Sequence, residues 1–287
     1  MPERFILSVL GSASAKPNQY RQSSAQLLQA AGRLFLIDCS EDTQRRLVLQ
    51  NARLAEYARE NSLQGVRHVN ATRLDAVFIS HIHGDHVYGL FPLLDTLSLN
   101  ARTRALKIFG PANLGPILTF YNSFWGRKNP FDLEFNPLKS GRPEVVLEYP
   151  DLVVEAVPLN HGIETYGFIF RETLPPVREG EQVHLRSFAY CSDTAPFEEL
   201  ASWIRGVDVL YHEGTYMEDD WRKAQLRFHS TAAQAAKVAL DAGVGRLLLG
   251  HYSSSIREDE IHGAYENEAR RIFPASTAVE DGEIFDI

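Results

Sequence analysis

Nine short runs of apolar, β-branched and aromatic residues punctuate the chain: FILSVL (5–10), LFLID (34–38), AVFIS (76–80), ALKIF (105–109), LVVEAV (152–157), YGFIF (166–170), SFAYC (187–191), VDVLY (207–211) and RLLLG (246–250). Runs this apolar predict strands buried on both faces. Helical patterns lie between some of them. Val87 to Leu99 carries Leu90, Leu94 and Leu97 at near-helical spacing. Thr231 to Ala242 is alanine-rich, opens behind Ser230 as its expected N-cap and stops at Gly243. Arg257 to Phe273 is amphipathic and ends at Pro274. Two stretches read as looser: Asn51–Thr72, polar and mixed in charge, and Glu172–Arg186, a Pro/Gly-bearing loop. Neither has the length of an interdomain linker. Strand and helix alternate from end to end without repeats, which predicts one α/β domain over residues 1–287, sheet inside and helices outside.

Composition narrows the class. The chain has 287 residues, 44% hydrophobic and 23% charged, which excludes a disordered or fibrous protein. A net charge of −8 argues against a broad nucleic-acid-binding face, though it leaves room for a local basic patch. The two cysteines, Cys39 and Cys191, lack CxxC spacing and close apolar runs, as buried reduced thiols of a cytoplasmic protein do. No apolar stretch approaches the ~18 residues of a membrane span. The run after Arg4 is broken by Ser8, so no signal peptide is expected.

The strongest chemical signal is SHIHGDH (80–86), directly after the run AVFIS. It sets His81, His83, Asp85 and His86 on one loop at a strand's C-terminal end, where open α/β sheets place ligand sites. Each buried imidazole needs a polar partner, so the cluster is a poor structural choice. Imidazole and carboxylate together suit a borderline metal such as Zn²⁺. Three further candidates follow other runs: His161, Asp193 and His251. Taken singly, each also reads as a loop histidine, an Asx-turn aspartate or a packed strand-end histidine. With SHIHGDH they make seven candidate ligands at strand ends. His68, His184 and His262 lack that context and read as solvated, and His212 as packed beneath the site.

HxHxDH with a later His, Asp and His resembles the metallo-β-lactamase superfamily. Within it the chain resembles the ribonuclease Z family of tRNA 3′-processing endonucleases. The segments LGSASAKP, FISHIHGDHVYGL, FGP, NHGIETYGF, YCSDT, LYHEGTY, FHSTAAQAA and LLLGHYS carry the resemblance almost end to end. HEGT (212–215) and HST (229–231) are the particular ones. The resemblance implies a four-layer αβ/βα sandwich holding two zinc ions, with manganese as the alternative. One zinc would take His81, His83 and His161, and the other Asp85, His86 and His251, with Asp193 bridging. It further implies that Asp85 orients the attacking water, and that His229 protonates the leaving 3′-oxygen, oriented by Glu213. Precursor tRNA is the implied substrate and a homodimer the implied assembly.

Some positions depart from the family pattern. The phosphate-contacting stretch, usually Pro-x-Lys-x-Arg-Asn, reads Pro17-Asn18-Gln19-Tyr20-Arg21-Gln22, leaving Arg21 as its substrate contact. The GEGTQ segment reads Ser40-Glu41-Asp42-Thr43-Gln44. The long arm that grips the tRNA elbow is expected between the motifs at His161 and Asp193, and only the Glu172–Arg186 loop is available there. A hydrolase acting on a small phosphodiester or other ester is therefore the alternative expectation. A binding protein on a dead hydrolase scaffold is disfavoured, because all seven ligands are present.

Overall fold

All nine apolar runs form strands in the computed structural model, which describes residues 4–16, 18–125, 130–139, 141–173 and 184–287. The chain divides into two compact units, Met1–Lys139 with Glu280–Asp286, and Ser140–Val279.

The first unit carries strands β1 (Ile6–Gly11), β2 (Ala25–Ala30), β3 (Arg33–Ile37), β4 (Ala76–Phe78), β5 (Leu106–Gly110) and β6 (Leu133–Pro137). The second carries β7 (Glu144–Tyr149), β8 (Leu152–Pro158), β9 (Tyr166–Glu172), β10 (Ser187–Cys191), β11 (Val209–Glu213), β12 (Arg246–Gly250) and β13 (Ser276–Ala278). The last strand, β14 (Ile284–Asp286), returns to the first unit and pairs with β1. The first sheet runs β14-β1-β2-β3-β4-β5-β6, antiparallel as far as β3 and parallel beyond it. The second runs β13-β12-β11-β10-β9-β8-β7, parallel from β10 to β13 and antiparallel from β7 to β10.

Helices of the first unit are α1 (Thr43–Glu60), α2 (Gly84–Val87), α3 (Leu90–Leu99) and α4 (Leu114–Phe124). Their apolar stripes, with Leu47, Leu54, Leu94, Leu97 and Leu118, close over Leu36, Val77 and Ile108 of the sheet. The alternate strand residues Leu7, Phe35, Ile37 and Phe78 are fully buried as well. Two-face burial thus holds in these strands as the patterns predict, and each such side chain contributes roughly 1.5–3 kcal/mol. Strand β8 of the second sheet departs from it, with Val153 and Glu155 only half-buried. In the second unit the helices are α5 (Glu198–Trp203), α6 (Trp221–Leu226), α7 (Ala232–Ala242), α8 (Glu258–Glu260) and α9 (Glu266–Ile272). Small residues of α7 (Ala232, Ala235, Ala236 and Ala239) pack in one cluster with Ala189, Leu210 and Leu249 of the sheet. Cys39 and Cys191 are buried free thiols, pushed well above the usual thiol range by burial. No helix among the described residues is long and apolar enough to cross a membrane.

Several boundaries differ from expectation. The Val87–Leu99 helix is interrupted at Tyr88–Gly89, because Gly89 N–H donates to Cys39 O (2.8 Å). A Cβ there would meet Ser40 O at 1.7 Å, so only glycine fits. The N-cap of α7 is Thr231, not Ser230: its Oγ accepts from Gln234 N while the Gln234 side chain bonds back. Ser230 Oγ donates instead to Thr194 O (2.7 Å). The helix expected over Arg257–Phe273 is split by a π-helical turn, Ile261–Tyr265, which buries both of those end residues. The first part of Asn51–Thr72 belongs to α1, whose narrow apolar stripe is masked in sequence by its many polar positions. Strand β2, AQLLQA, has weak β-propensity and exists because β1 and β3 flank it. Of the Glu172–Arg186 loop, residues 174–183 lie outside the described residues. The described ends form a closed ladder, with Glu172 N–H donating to Arg186 O (2.9 Å). Only thirteen residues separate Glu172 from Arg186, far short of a long arm.

Candidate metal and catalytic site

In the first unit the SHIHGDH loop leaves β4 and turns into α2. Its organiser is Asp38, one residue past β3, fully buried and in the left-handed region (φ 56°). Asp38 accepts from Ser80 N–H (2.7 Å), Ser80 Oγ–H (2.9 Å) and His86 Nδ1–H (2.8 Å). Since Ser80 Oγ donates to Asp38, its lone pair takes the Nδ1–H of His81 (2.9 Å). Both imidazoles are thereby fixed in the tautomer whose Nε2 carries the lone pair, the form a metal ligand requires. His86 Nε2 lies 3.5 Å from Asp85 Oδ2. His81 Nε2 lies 2.9 Å from His83 Nδ1, a spacing that calls for a proton or a cation shared between them. Neighbouring nitrogens on one tetrahedral zinc are about 3.3 Å apart, so the donor set fits such an ion.

In the second unit the groups come from separate strand ends. Cys191 of β10, His212 of β11 and Leu249 of β12 sit in one row of the parallel ladder. Asp193 and His251 each lie two residues beyond that row, and Glu213 one beyond. His251 Nε2 is 3.1 Å from Asp193 Oδ1, and His161, after β8, has its Nε2 3.9 Å from Asp193 Oδ2. Asp193, His229 and His251 present donor atoms all within 4.8 Å of one another. His161 Nδ1–H donates to Phe228 O (2.9 Å). His251 Nδ1–H donates to Thr215 Oγ (2.8 Å), which itself donates to Glu213 Oε2 (2.6 Å). The tautomer logic of the first unit is repeated here. His251 and Phe228 are non-glycine residues at positive φ (62° and 56°), a strain of about 1–3 kcal/mol each that the surrounding bonds must hold.

Glu213 is the hub. Beyond Thr215 it accepts from Thr194 N–H (3.0 Å), Ser230 N–H (3.0 Å) and His229 Nδ1–H (3.0 Å). Burial by itself would raise its pKa, but the adjacent His229, then His251 and Thr215, hold it down at about 2. The HEGT glycine is required by packing, since a Cβ on Gly214 would meet Tyr265 Oη at 2.3 Å. His212 is fully buried behind this network, its Nδ1–H on Glu213 O (2.6 Å), and burial lowers its pKa.

The structure thus gathers His81, His83, Asp85 and His86 in one unit, and His161, Asp193, His229, Glu213 and His251 in the other. Arg21 is placed otherwise. Its guanidinium is buried, donating to Ser12 Oγ (3.0 Å) and 3.8 Å from Glu280. Asn18 and Tyr20 share its turn, while Pro17 lies outside the described residues. His68, His184 and His262 are exposed, as expected. Sequence reasoning passed over Asp38, Ser80 and Thr215, which act through other side chains. For Asp38 a signal existed: it closes an apolar run, as the candidate ligands do.

A family model described as a β-lactamase superfamily domain matches residues 33–252, and so includes residues of both units. Ribonuclease Z of Porphyromonas gingivalis is 32% identical over 96% of this chain and 97% of its own length. Ribonuclease Z of Bacteroides fragilis is 32% identical over 95% of each. Among solved structures, the short form of human tRNase Z superposes with a TM-score of 0.76 at 24% identity, covering 98% of both chains.

Proposed function

The chain belongs to the ribonuclease Z family of the metallo-β-lactamase superfamily, and on that premise we propose that it is a dinuclear-metal phosphodiesterase that trims the 3′ end of precursor tRNA. The observation that carries this reading is the Glu213–His229 pair. A histidine held at Nδ1 by a buried carboxylate is a poised proton donor, and a hydrolase using metal alone would not need one.

In this reading the two units work as one domain. His81, His83 and His161 would hold one metal ion and Asp85, His86 and His251 the other, with Asp193 serving both sets. Bound metal would activate the attacking water and neutralise charge on the phosphoryl group. Asp85 orients that water. His229 donates a proton to the leaving 3′-oxygen, and Glu213 holds the imidazole in place and stabilises its charged form. Asp38 and Thr215 fix the tautomers of His86 and His251. Arg21, buried against Ser12, acts on substrate by positioning the Asn18–Gln22 turn. Zinc identity, two ions per chain, a homodimer and a cytoplasmic setting complete the proposal.

The short β9–β10 connection favours a second reading, a small phosphodiester as substrate. Turnover of an unmodified precursor tRNA and of bis(p-nitrophenyl) phosphate, with elemental analysis of the same preparation, separates them. The expected result is about two metal ions per chain, cleavage of both substrates, and loss of both activities on chelation. Cleavage of the small ester alone would favour the second reading. A metal content near zero after reconstitution with zinc or manganese would sink both.

A further inference from the structure

The segment Asn51–Thr72 takes no part in the site above, yet it is built with care. After α1 it runs back across the first sheet at the edge opposite the histidine loop. Two side-chain amides hold it there. Gln29, buried on β2, both donates to Arg67 O (3.2 Å) and accepts from Arg67 N–H (3.1 Å). Asn51 does the same for Val69, donating to its carbonyl (2.8 Å) and accepting its N–H (2.6 Å). The backbone is thereby pinned on both sides of His68.

The pinned segment forms one wall of a cavity of about 580 Å³ at the N-terminal ends of β3, β4 and β5. Arg67, His68, Arg73 and Arg104 line it, with Asp75 as the only carboxylate in the lining. Asp75 is already engaged, accepting from Arg104 Nη2 (2.9 Å) and from Leu34 N–H (3.0 Å). Arg73 is exposed and forms no ion pair among the described residues. The floor is tied by Arg102, a buried arginine whose guanidinium donates to Thr72 O (2.7 Å), Arg104 O (2.8 Å) and Ala105 O (2.6 Å). Burial and then the Arg104 charge push the Arg102 guanidinium below its ordinary value. In a chain of net charge −8, a walled cavity with three guanidiniums against one carboxylate is a concentrated positive site.

We propose that this cavity, at the opposite end of β4 from the histidine loop, binds phosphate groups, with Arg67 and Arg73 as its main contacts. Planar guanidinium forks match phosphate oxygens in pairs, and the cavity is large enough for more than a lone ion. The phosphate could belong to a free polyphosphate or to an RNA backbone. The RNA source rests on the ribonuclease reading above and would supply a grip for a chain with so short a β9–β10 connection.

Calorimetric titration of the full-length protein with pyrophosphate, and separately with a 2′-O-methyl RNA dodecamer, tests the site. Wild type is compared with Arg73→Gln and with Arg67→Gln/Arg73→Gln. Affinity for at least one ligand should fall about tenfold in the double variant and severalfold in Arg73→Gln, as loss of charge-assisted contacts predicts. Loss for the dodecamer alone assigns the site to RNA backbone, and loss for pyrophosphate alone assigns it to a free polyphosphate. Affinities unchanged by the substitutions for both ligands, including no binding by any form, would overturn the proposal. Turnover of bis(p-nitrophenyl) phosphate is followed alongside and should be unaffected. Should the double variant lose that turnover through misfolding, Arg73→Gln decides alone, since its side chain makes no ion pair to lose. Wild type inactive on the small ester would count against the catalytic reading and leave the binding comparison intact.

Discussion

Both units run an antiparallel set of strands into a parallel one, β14-β1-β2-β3 then β4 to β6 in the first and β7 to β10 then β11 to β13 in the second. Both place a buried carboxylate at a strand end to hold histidines, Asp38 in one and Glu213 in the other. They differ in how the site is loaded. In the first unit four candidate ligands share one loop after β4, and Asp38 reaches Ser80 and His86 of that loop. In the second, the groups are spread over β8, β10, β11, β12 and the turn before α7. Glu213 accordingly gathers Thr194, Thr215, His229 and Ser230 from three segments. Local sequence can gather the four ligands of the first arrangement and needs the parallel β3–β4 pairing only to bring in Asp38, whereas the second exists only once the parallel register is set.

The comparison can be broken most severely at His229. If the second unit supplies proton transfer and the first does not, His229→Ala should lower kcat by ~10²–10⁴ and leave metal content unchanged. Metal loss in that variant would make His229 a ligand and erase the distinction between holding and catalysis. A smaller effect is expected at the groups that fix tautomers. Asp38→Asn replaces an acceptor of His86 Nδ1–H with an amide, and Thr215→Val removes the acceptor of His251. Each should weaken metal affinity by about 10–100-fold in competition with a chelator. An effect confined to one of the two would show that the units are not equivalent supports. The smallest effect concerns the cap of α7. Thr231→Ala should cost about 1 kcal/mol in urea unfolding by breaking the capping box. Ser230→Ala, which leaves that box intact, should spare the cap; a reversal would contradict the structural assignment.

Much of this was legible before folding. Nine strands follow from apolar runs, because a strand buried on both faces has few polar positions to hide it; β8 is the exception, with Val153 and Glu155 half-buried on one face. The histidine loop was legible because its groups are contiguous. Other features were not, and three of them show why. Strand β2 has two glutamines and no β-branched residue, and pairing with β1 and β3 makes it a strand. The break at Gly89 depends on Cys39 O, fifty residues away. Arg21 looked available for substrate, yet Ser12 and Glu280 draw its guanidinium inward.

By itself the sequence determined nine of the strands, which residue types have metal chemistry, and that they sit at strand ends. Those properties depend on side-chain polarity and local spacing, which any stretch of chain carries with it. Tertiary structure decided the rest. Sheet register brings Asp193 and His251 to one level, with Glu213 one residue short of it. The buried carboxylates Asp38 and Glu213, unable to stay unpartnered, fix the tautomers of His86 and His229 by accepting their Nδ1–H. Side-chain amides from β2 and α1 turn a polar stretch into the wall of a basic cavity. All of these are hydrogen bonds between segments far apart in sequence, and neither composition nor periodicity records them.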